Sequence, residues 1–187
     1  MWPPEWITVD DELVLRVWEP SDAPALCRAV TESLEHLRPF MPWAAFEPQT
    51  VARREALIET WAEERRLTGE TIYGIFEQDR IAGGTGIHAR SVPSTREIGY
   101  WVHVDATRRG IARRVAARLT TEALRLDGVD TVEIRHDRNN VASGRVPARL
   151  GYRLVEEAWH PRDAPGVWGI MHRWRITADE WARHTTG

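Results

Sequence analysis

One segment concentrates groups able to hold an anion: Tyr100-Trp-Val-His-Val-Asp-Ala-Thr-Arg-Arg-Gly-Ile-Ala-Arg-Arg114. A strand-like run enters a tight turn and passes straight into a helix. The first turns of that helix carry Arg108, Arg109, Arg113 and Arg114 and no acidic residue. Cations at a helix N-terminus oppose the macrodipole at a cost of roughly 0.3–1 kcal/mol each, so the arrangement is unfavourable unless an anion sits there. Free amides at a helix start form a phosphate cradle, and Gly110 lets a ligand approach the backbone closely. An exposed basic helix face is the competing reading of the same residues. Neither GxxxxGK[ST] nor GxGxxG occurs, which argues against nucleotide P-loop and Rossmann sites. His36, His103 and His136 lack metal-ligand spacing, and no metal site is expected.

The elements around this turn follow from periodicity. Leu13–Trp18 reads as a strand ending at Glu19-Pro20, and Ser21-Asp22 caps a helix through about Glu35. Leu37-Arg-Pro-Phe-Met-Pro-Trp43 must be a shaped loop, because Pro39 and Pro42 interrupt any helix. Thr50 to about Leu67 returns to helical spacing. Thr71–Phe76, Arg80–Ile87 and Glu97–Val104 form a predicted antiparallel meander. Gly110 to about Asp127 is a helix with Ile111, Val115, Leu119, Ala123 and Leu126 on one arc. A strand at Thr131–Arg135, a helix at Asn140–Leu150, strands at Gly151–Val155 and Val167–Ile176 and a short terminal helix from Thr177 complete the chain. The expected fold is α/β, an α+β mixed sheet flanked by helices in a single domain over residues 1–187.

Composition narrows the function classes. The chain has 187 residues, 42% apolar and 28% charged, which fits one ordinary globular domain. No run approaches the ~18–20 apolar residues of a spanning helix, and Met1-Trp-Pro-Pro-Glu5 has no secretory signal pattern, so a cytoplasmic location without membrane partners is expected. A lone Cys27 rules out an internal disulfide framework. Every one of the 25 basic residues is Arg, which a G+C-rich genome explains without selection for guanidinium chemistry. A net charge of −3 argues against nucleic-acid binding and favours neutral or cationic partners. Ten Trp against three Phe and three Tyr make indoles the main aromatic volume of any core or pocket.

A second feature, Asn139-Asn-Val-Ala-Ser-Gly-Arg-Val-Pro-Ala-Arg-Leu-Gly-Tyr152, completes a pattern. The succession of a strand, Arg-Arg-Gly-Ile-Ala, a strand, Asn140-Val-Ala-Ser143 and Leu150-Gly-Tyr152 resembles the GNAT acetyltransferase superfamily, and more narrowly its RimJ/RimL branch. Glu97-Ile-Gly-Tyr-Trp101, His36–Trp43 and Asp179-Glu-Trp181 extend the resemblance over nearly the whole chain.

The resemblance implies a central, mostly antiparallel sheet splayed between the fourth and fifth predicted strands, with acetyl-CoA in the splay. Its pyrophosphate would rest on the amides of Arg109, Gly110, Ile111, Ala112 and Arg113, which match the family's Q/R-x-x-G-x-G/A turn. Thr107 departs from the first position of that turn, and Arg108 stands where Gly is common. Backbone groups of Val102 and Val104 would pair with the pantetheine arm, and Asn140 would hydrogen-bond the cofactor or simply cap its helix. The family's Tyr acid is replaced by Pro147, which leaves Ser143 to serve the leaving thiolate or to be merely a small helix residue. Pro147 also removes the N–H that would bond the Ser143 carbonyl, so the backbone there should be kinked. For the base, Glu97 corresponds to a family glutamate and Glu70 competes with it, although either can be an ordinary exposed carboxylate. Phe40, Trp43 and Glu70 would line the acceptor site, with Trp159 to Trp168 as a second wall.

The implied activity is direct acetyl transfer to a primary amine, a protein N-terminus or a small molecule, in a ternary complex; a homodimer is compatible with the sequence. Two other readings make different predictions. A non-catalytic CoA-binding or regulatory module binds CoA without turnover, and a nucleic-acid-binding domain using Arg108 to Arg118 loses affinity steeply with salt.

Overall fold

In the computed structural model, which describes residues 2–186, the chain opens with β1 (Trp6–Thr8) and β2 (Leu13–Val17), followed by α1 (Ala23–Glu32), α2 (Leu34–Leu37) and α3 (Val51–Thr68). Next come β3 (Thr71–Glu77), β4 (Arg80–Ala89), β5 (Thr95–Val102), α4 (Ile111–Leu124) and β6 (Thr131–Asp137). The chain then forms α5 (Val141–Arg149), β7 (Arg153–Trp159), β8 (Ile170–Thr177) and α6 (Ala178–Thr186). Met1, the first residue of the Met1–Glu5 segment, and Gly187 lie outside the described residues.

The strands make one sheet in the order β1-β2-β3-β4-β5-β6-β8-β7, and only β5 and β6 pair in parallel. Alternation along the strands gives the sheet two apolar faces. On one, Leu13, Leu15, Ile75, Ile98, Ile134 and Ile176 pack against the Ile111, Val115, Leu119 and Ala123 stripe of α4. On the other, Trp18 and Phe76 meet Leu26 and Val30 of α1 and Ile58 of α3. The expected α4 arc is thus the helix's buried face. Glu122, which intrudes on it, is buried and is held by Arg118 and Arg125.

Three elements differ from expectation in extent and a fourth in burial. The three residues of β1 are too few to show a period. The first helix breaks at buried Ser33, whose hydroxyl accepts from the Val104 amide at 3.1 Å. β7 runs on to Trp159 and is exposed along its whole length, as an edge strand can be. In α3 the apolar stripe is only partly buried, because Leu57 and Trp61 wall a cavity instead of entering the core.

Candidate active site

The sheet opens where the chemistry was expected. β5 and β6 pair only through Thr95, Arg96 and Glu97 against Thr131, Val132 and Glu133, so beyond Glu97 the two strands diverge. With the extra strand β1 counted, this is the splay expected between the fourth and fifth predicted strands. The His103 amide donates to Ala82 on β4 at 2.8 Å. Backbone groups alternate along a strand, so the amide and carbonyl of Val102 face the opposite edge, into the gap.

At the end of β5 the chain turns into α4. Gly110 caps the helix with φ 76°, and a side chain there would meet no protein atom within 4 Å, so the space beside its backbone is open. Arg108 also takes a left-handed conformation, φ 63°, the one a glycine adopts without strain. The Arg114 amide closes the first helical bond, onto the Gly110 carbonyl at 3.1 Å. The amides of Ile111, Ala112 and Arg113 therefore lie in the first turn without an intrahelical acceptor. Two of the four arginines point away from the cradle: Arg109 pairs with Glu77, and Arg114 bonds Asp10 at 2.8 Å and Glu12 at 2.9 Å. Arg108 and Arg113 are exposed and have no ion pair among the described residues.

Val104 requires a correction. Its amide is spent on Ser33, and its carbonyl accepts from the Thr107 amide at 3.3 Å and the Thr107 hydroxyl at 2.9 Å. Neither group is left for a pantetheine arm, because the chain has already curled into a short 3-10 turn over Val104–Ala106. Thr107, which departs from the family pattern, supplies both bonds to that carbonyl, one of them from its side chain.

Across the gap, Asn140 caps α5, and its Oδ1 accepts from the Ser143 amide at 3.1 Å. Its Nδ2 has no partner among the described residues. Ser143 faces back toward β5, where the Tyr100 hydroxyl donates to its carbonyl at 3.2 Å and lies 3.3 Å from its Oγ. Burial pushes the Tyr100 phenol up to about 12, so it stays protonated as a donor. Gly144 is required by contact: a side chain there would lie 2.7 Å from the His136 ring.

On the α1–α3 face of the sheet, beside β5, lies a cavity of about 460 Å³. Trp18, Trp43, Trp61 and Trp101 line it together with Leu26, Val30, Met41, Leu57 and Ile72. Trp43 meets Trp101 edge-on with ring centroids 6.2 Å apart. Its polar lining includes the buried Arg54–Glu47 ion pair and His88, whose Nδ1 lies 2.9 Å from Glu70 Oε1. The hydrogen bond from His88 holds the Glu70 carboxyl below its ordinary range, against the opposing effect of burial.

The remaining predicted residues fall elsewhere. Phe40 is half-buried in the turn after α2 and does not line the cavity. The Glu97 carboxylate is clamped by Arg90 at 2.9 and 3.1 Å and by Arg135 at 3.1 Å, so both its oxygens are occupied. Trp159 and Trp168 are exposed; their loop reaches the turn after α2 through Gly166, whose amide donates to the Pro39 carbonyl at 2.8 Å.

A family model described as an acetyltransferase (GNAT) domain matches residues 12–153. The chain belongs to the GNAT acetyltransferase family. A Bacillus subtilis (strain 168) protein named "Putative ribosomal N-acetyltransferase YdaF" is 26% identical over 165 residues, spanning 88% of this acetyltransferase and 88% of that protein. Among solved structures, the RimL ribosomal L7/L12 alpha-N-protein acetyltransferase in complex with coenzyme A has a TM-score of 0.85 at 21% identity, covering 94% of this chain and 99% of its own. The microcin C7 self immunity acetyltransferase MccE, in complex with acetyl-CoA and AMP, has a TM-score of 0.84 at 20% identity, covering 93% and 97%. These structures share the fold.

The acetyltransferase's own residues fit the family's acyl donor. Open space beside Gly110, first-turn amides with no intrahelical acceptor and the Val102 edge that β6 does not pair follow one another from the end of β5 into α4. Sequence reasoning missed Tyr100 and His88. Tyr100 was legible only as part of Glu97-Ile-Gly-Tyr-Trp101, and the signal for His88, its pairing with Glu70, comes from sheet geometry between residues 18 apart.

Proposed function

We propose that this acetyltransferase moves an acetyl group from acetyl-CoA directly to a primary amine carried on a bulky apolar group, with both substrates bound at once. One observation carries this reading: the indole-walled cavity reaches β5 at Gly99, Tyr100 and Trp101, the strand whose other edge lines the gap. An acceptor seated in the cavity and a donor in the gap would meet across that strand without a covalent acyl-enzyme. Four tryptophans suit an apolar or aromatic group better than a small polar one, and they attract the cationic head of an amine. A protein N-terminus and a small-molecule amine both meet this description.

In this reading the amides of Ile111, Ala112 and Arg113, with those of Arg109 and Gly110, take the pyrophosphate, while Val102 pairs with the pantetheine arm. Asn140 Nδ2 contributes a further hydrogen bond. Ser143 donates to the sulfur as the C–S bond breaks, oriented by Tyr100 and by the Asn140 cap. Relatives named for ribosomal proteins make N-terminal peptides the first acceptors to try.

The test combines thermal unfolding with acetyl-CoA and thiol release with a small amine panel: 2-phenylethylamine, phenylalanine-first and serine-first tripeptides, and spermidine. At ~100 times its dissociation constant, acetyl-CoA adds about 2.7 kcal/mol of stability. The expected result is a clear upward shift, and turnover highest with the two aromatic amines. Binding without thiol release from any amine would establish the non-catalytic reading, and preference for spermidine would overturn the apolar acceptor.

A further inference from the structure

We infer that His88 is the catalytic residue that takes the acceptor amine's proton, with Glu70 as the positioning residue that fixes its tautomer. The inference rests on the transferase reading above and names a group that the sequence did not single out.

The geometry carries it. His88 lies on β4 and lines the cavity floor, and its Nδ1 is bonded to Glu70 in the turn between α3 and β3. Because the carboxylate can only accept, Nδ1 carries the hydrogen, and in the neutral ring Nε2 holds the lone pair. Nε2 has no protein partner among the described residues, so the lone pair is open to a ligand. The ring lies across two glycines of adjacent strands: a side chain on Gly86 would come within 2.9 Å of Nε2, and one on Gly99 within 3.3 Å. Gly99 is on β5, so the open nitrogen is over the strand that separates the cavity from the gap. An imidazole oriented by a carboxylate on one nitrogen and free on the other is a general base in form.

The charged groups facing His88 are compatible with that role. Glu70 stabilises the imidazolium. Glu97, opposite it on β5, is neutralised by Arg90 and Arg135, and from the α3 side Glu47 and Arg54 neutralise each other. Glu97 does not line the cavity, and both its oxygens are held by arginines, which weighs against it as the competing base.

The step balances as follows. An ammonium proton passes to His88 Nε2, and the freed nitrogen lone pair forms the N–C bond to the acyl carbon as the C–S bond breaks. The second amine proton ends on the departing sulfur, giving an amide and a free thiol, and His88 returns its proton to water.

The experiment is the pH dependence of kcat/KM with 2-phenylethylamine for the wild type, His88→Gln and Glu70→Gln, with the acetyl-CoA thermal shift measured on each. His88→Gln is expected to keep the thermal shift, to lose about 100-fold in kcat/KM and to lose the enzyme's ascending limb. Glu70→Gln is expected to lose less and to move that limb to lower pH, because the imidazolium loses its anionic partner. A purely structural role would leave the limb in place. An unchanged kcat/KM and limb in His88→Gln, with the wild type active, would overturn this inference alone; a wild type silent with every amine would overturn the transferase reading and this inference with it. Nitrogen NMR of the ring gives an independent check: an Nε2-protonated neutral tautomer of His88 would also refute the assignment.

Discussion

The Tyr100 hydroxyl donates to the Ser143 carbonyl at 3.2 Å, across the gap between β5 and α5. In a regular helix the Ser143 carbonyl would accept from the amide of the residue four positions on. That residue is Pro147, which has no N–H. The phenol on the opposite strand supplies the missing donor. The proline that would otherwise orphan a carbonyl thus makes room for a tether between β5 and α5, and the same phenol lies 3.3 Å from the Ser143 Oγ.

Tyr100→Phe removes the tether while keeping the ring. The Ser143 carbonyl is partly buried, so losing its donor costs about 1 kcal/mol, and the variant should unfold at lower denaturant. Turnover should fall further than acetyl-CoA affinity, because Ser143 loses its orientation. Ser143→Ala should likewise reduce turnover more than affinity. If the two residues act as a unit, the double variant will lose much less than the combined losses of the single ones. Additive losses would show that Tyr100 serves packing alone.

Asn140 holds two readings apart that a single alanine would merge. Asn140→Ala removes the helix cap, at about 1 kcal/mol, and also any bond from Nδ2 to the cofactor. Asn140→Asp keeps the oxygen that accepts from the Ser143 amide but has no side-chain N–H at neutral pH. The expected pattern is near wild-type stability with a reduced acetyl-CoA thermal shift for the aspartate, and a loss of both for the alanine. A full thermal shift in Asn140→Asp would leave Asn140 as a cap only.

The turn before α4 makes opposite predictions for neighbouring residues. Gly110→Ala places a methyl group in the left-handed region, costing about 1 kcal/mol, and fills the open space beside the amides. Stability and acetyl-CoA affinity should both fall. Arg108→Gly relieves the same kind of strain at φ 63°, although the freer unfolded chain offsets part of the gain. Its stability should therefore change by less than about 1 kcal/mol, with the thermal shift retained. Loss of acetyl-CoA binding in Arg108→Gly would show that its side chain, and not only the backbone, contacts the donor.

The sheet and the turn into α4 are legible because they rest on local rules. Alternation gave the β3–β4–β5 meander, one apolar arc gave α4, and Gly110 marked the turn. The acceptor side was less legible. Glu97 looked like a base because of its strand position, but Arg90 and Arg135 that clamp it arrive from β4's end and from β6, and no spacing along the chain announces such a meeting. Val104 was misjudged because Ser33, 71 residues away, claims its amide. Trp43 lines the cavity while Phe40 does not, a difference decided by the 3-10 turn over Pro42–Phe46.

Asp137 gives the last prediction, and its sign can be worked out. The carboxylate ends β6, and it gathers the amides of Asn139 at 2.8 Å, Trp168 at 3.0 Å, Gly169 at 2.9 Å and Ile170 at 3.2 Å, together with His160 at 3.0 Å. Burial alone would raise its pKa, but these donors win and hold it down to about 2. A carboxyl bound more weakly by protons when folded stabilises the protein above its ordinary value near 3.8 and loses that contribution as the pH falls toward 2. At neutral pH this amounts to about 2 kcal/mol. Asp137→Asn presents an amide N–H to donors that need an acceptor, so it should destabilise by at least that much at pH 7. The gap to the wild type should narrow in unfolding curves taken below pH 3.8. Because the same carboxylate ties the start of α5 to the loop that carries Gly166 onto Pro39, the variant should also weaken acetyl-CoA binding at neutral pH. A stability gap that stays constant from pH 7 to pH 2 would mean that the carboxylate charge contributes nothing to this junction.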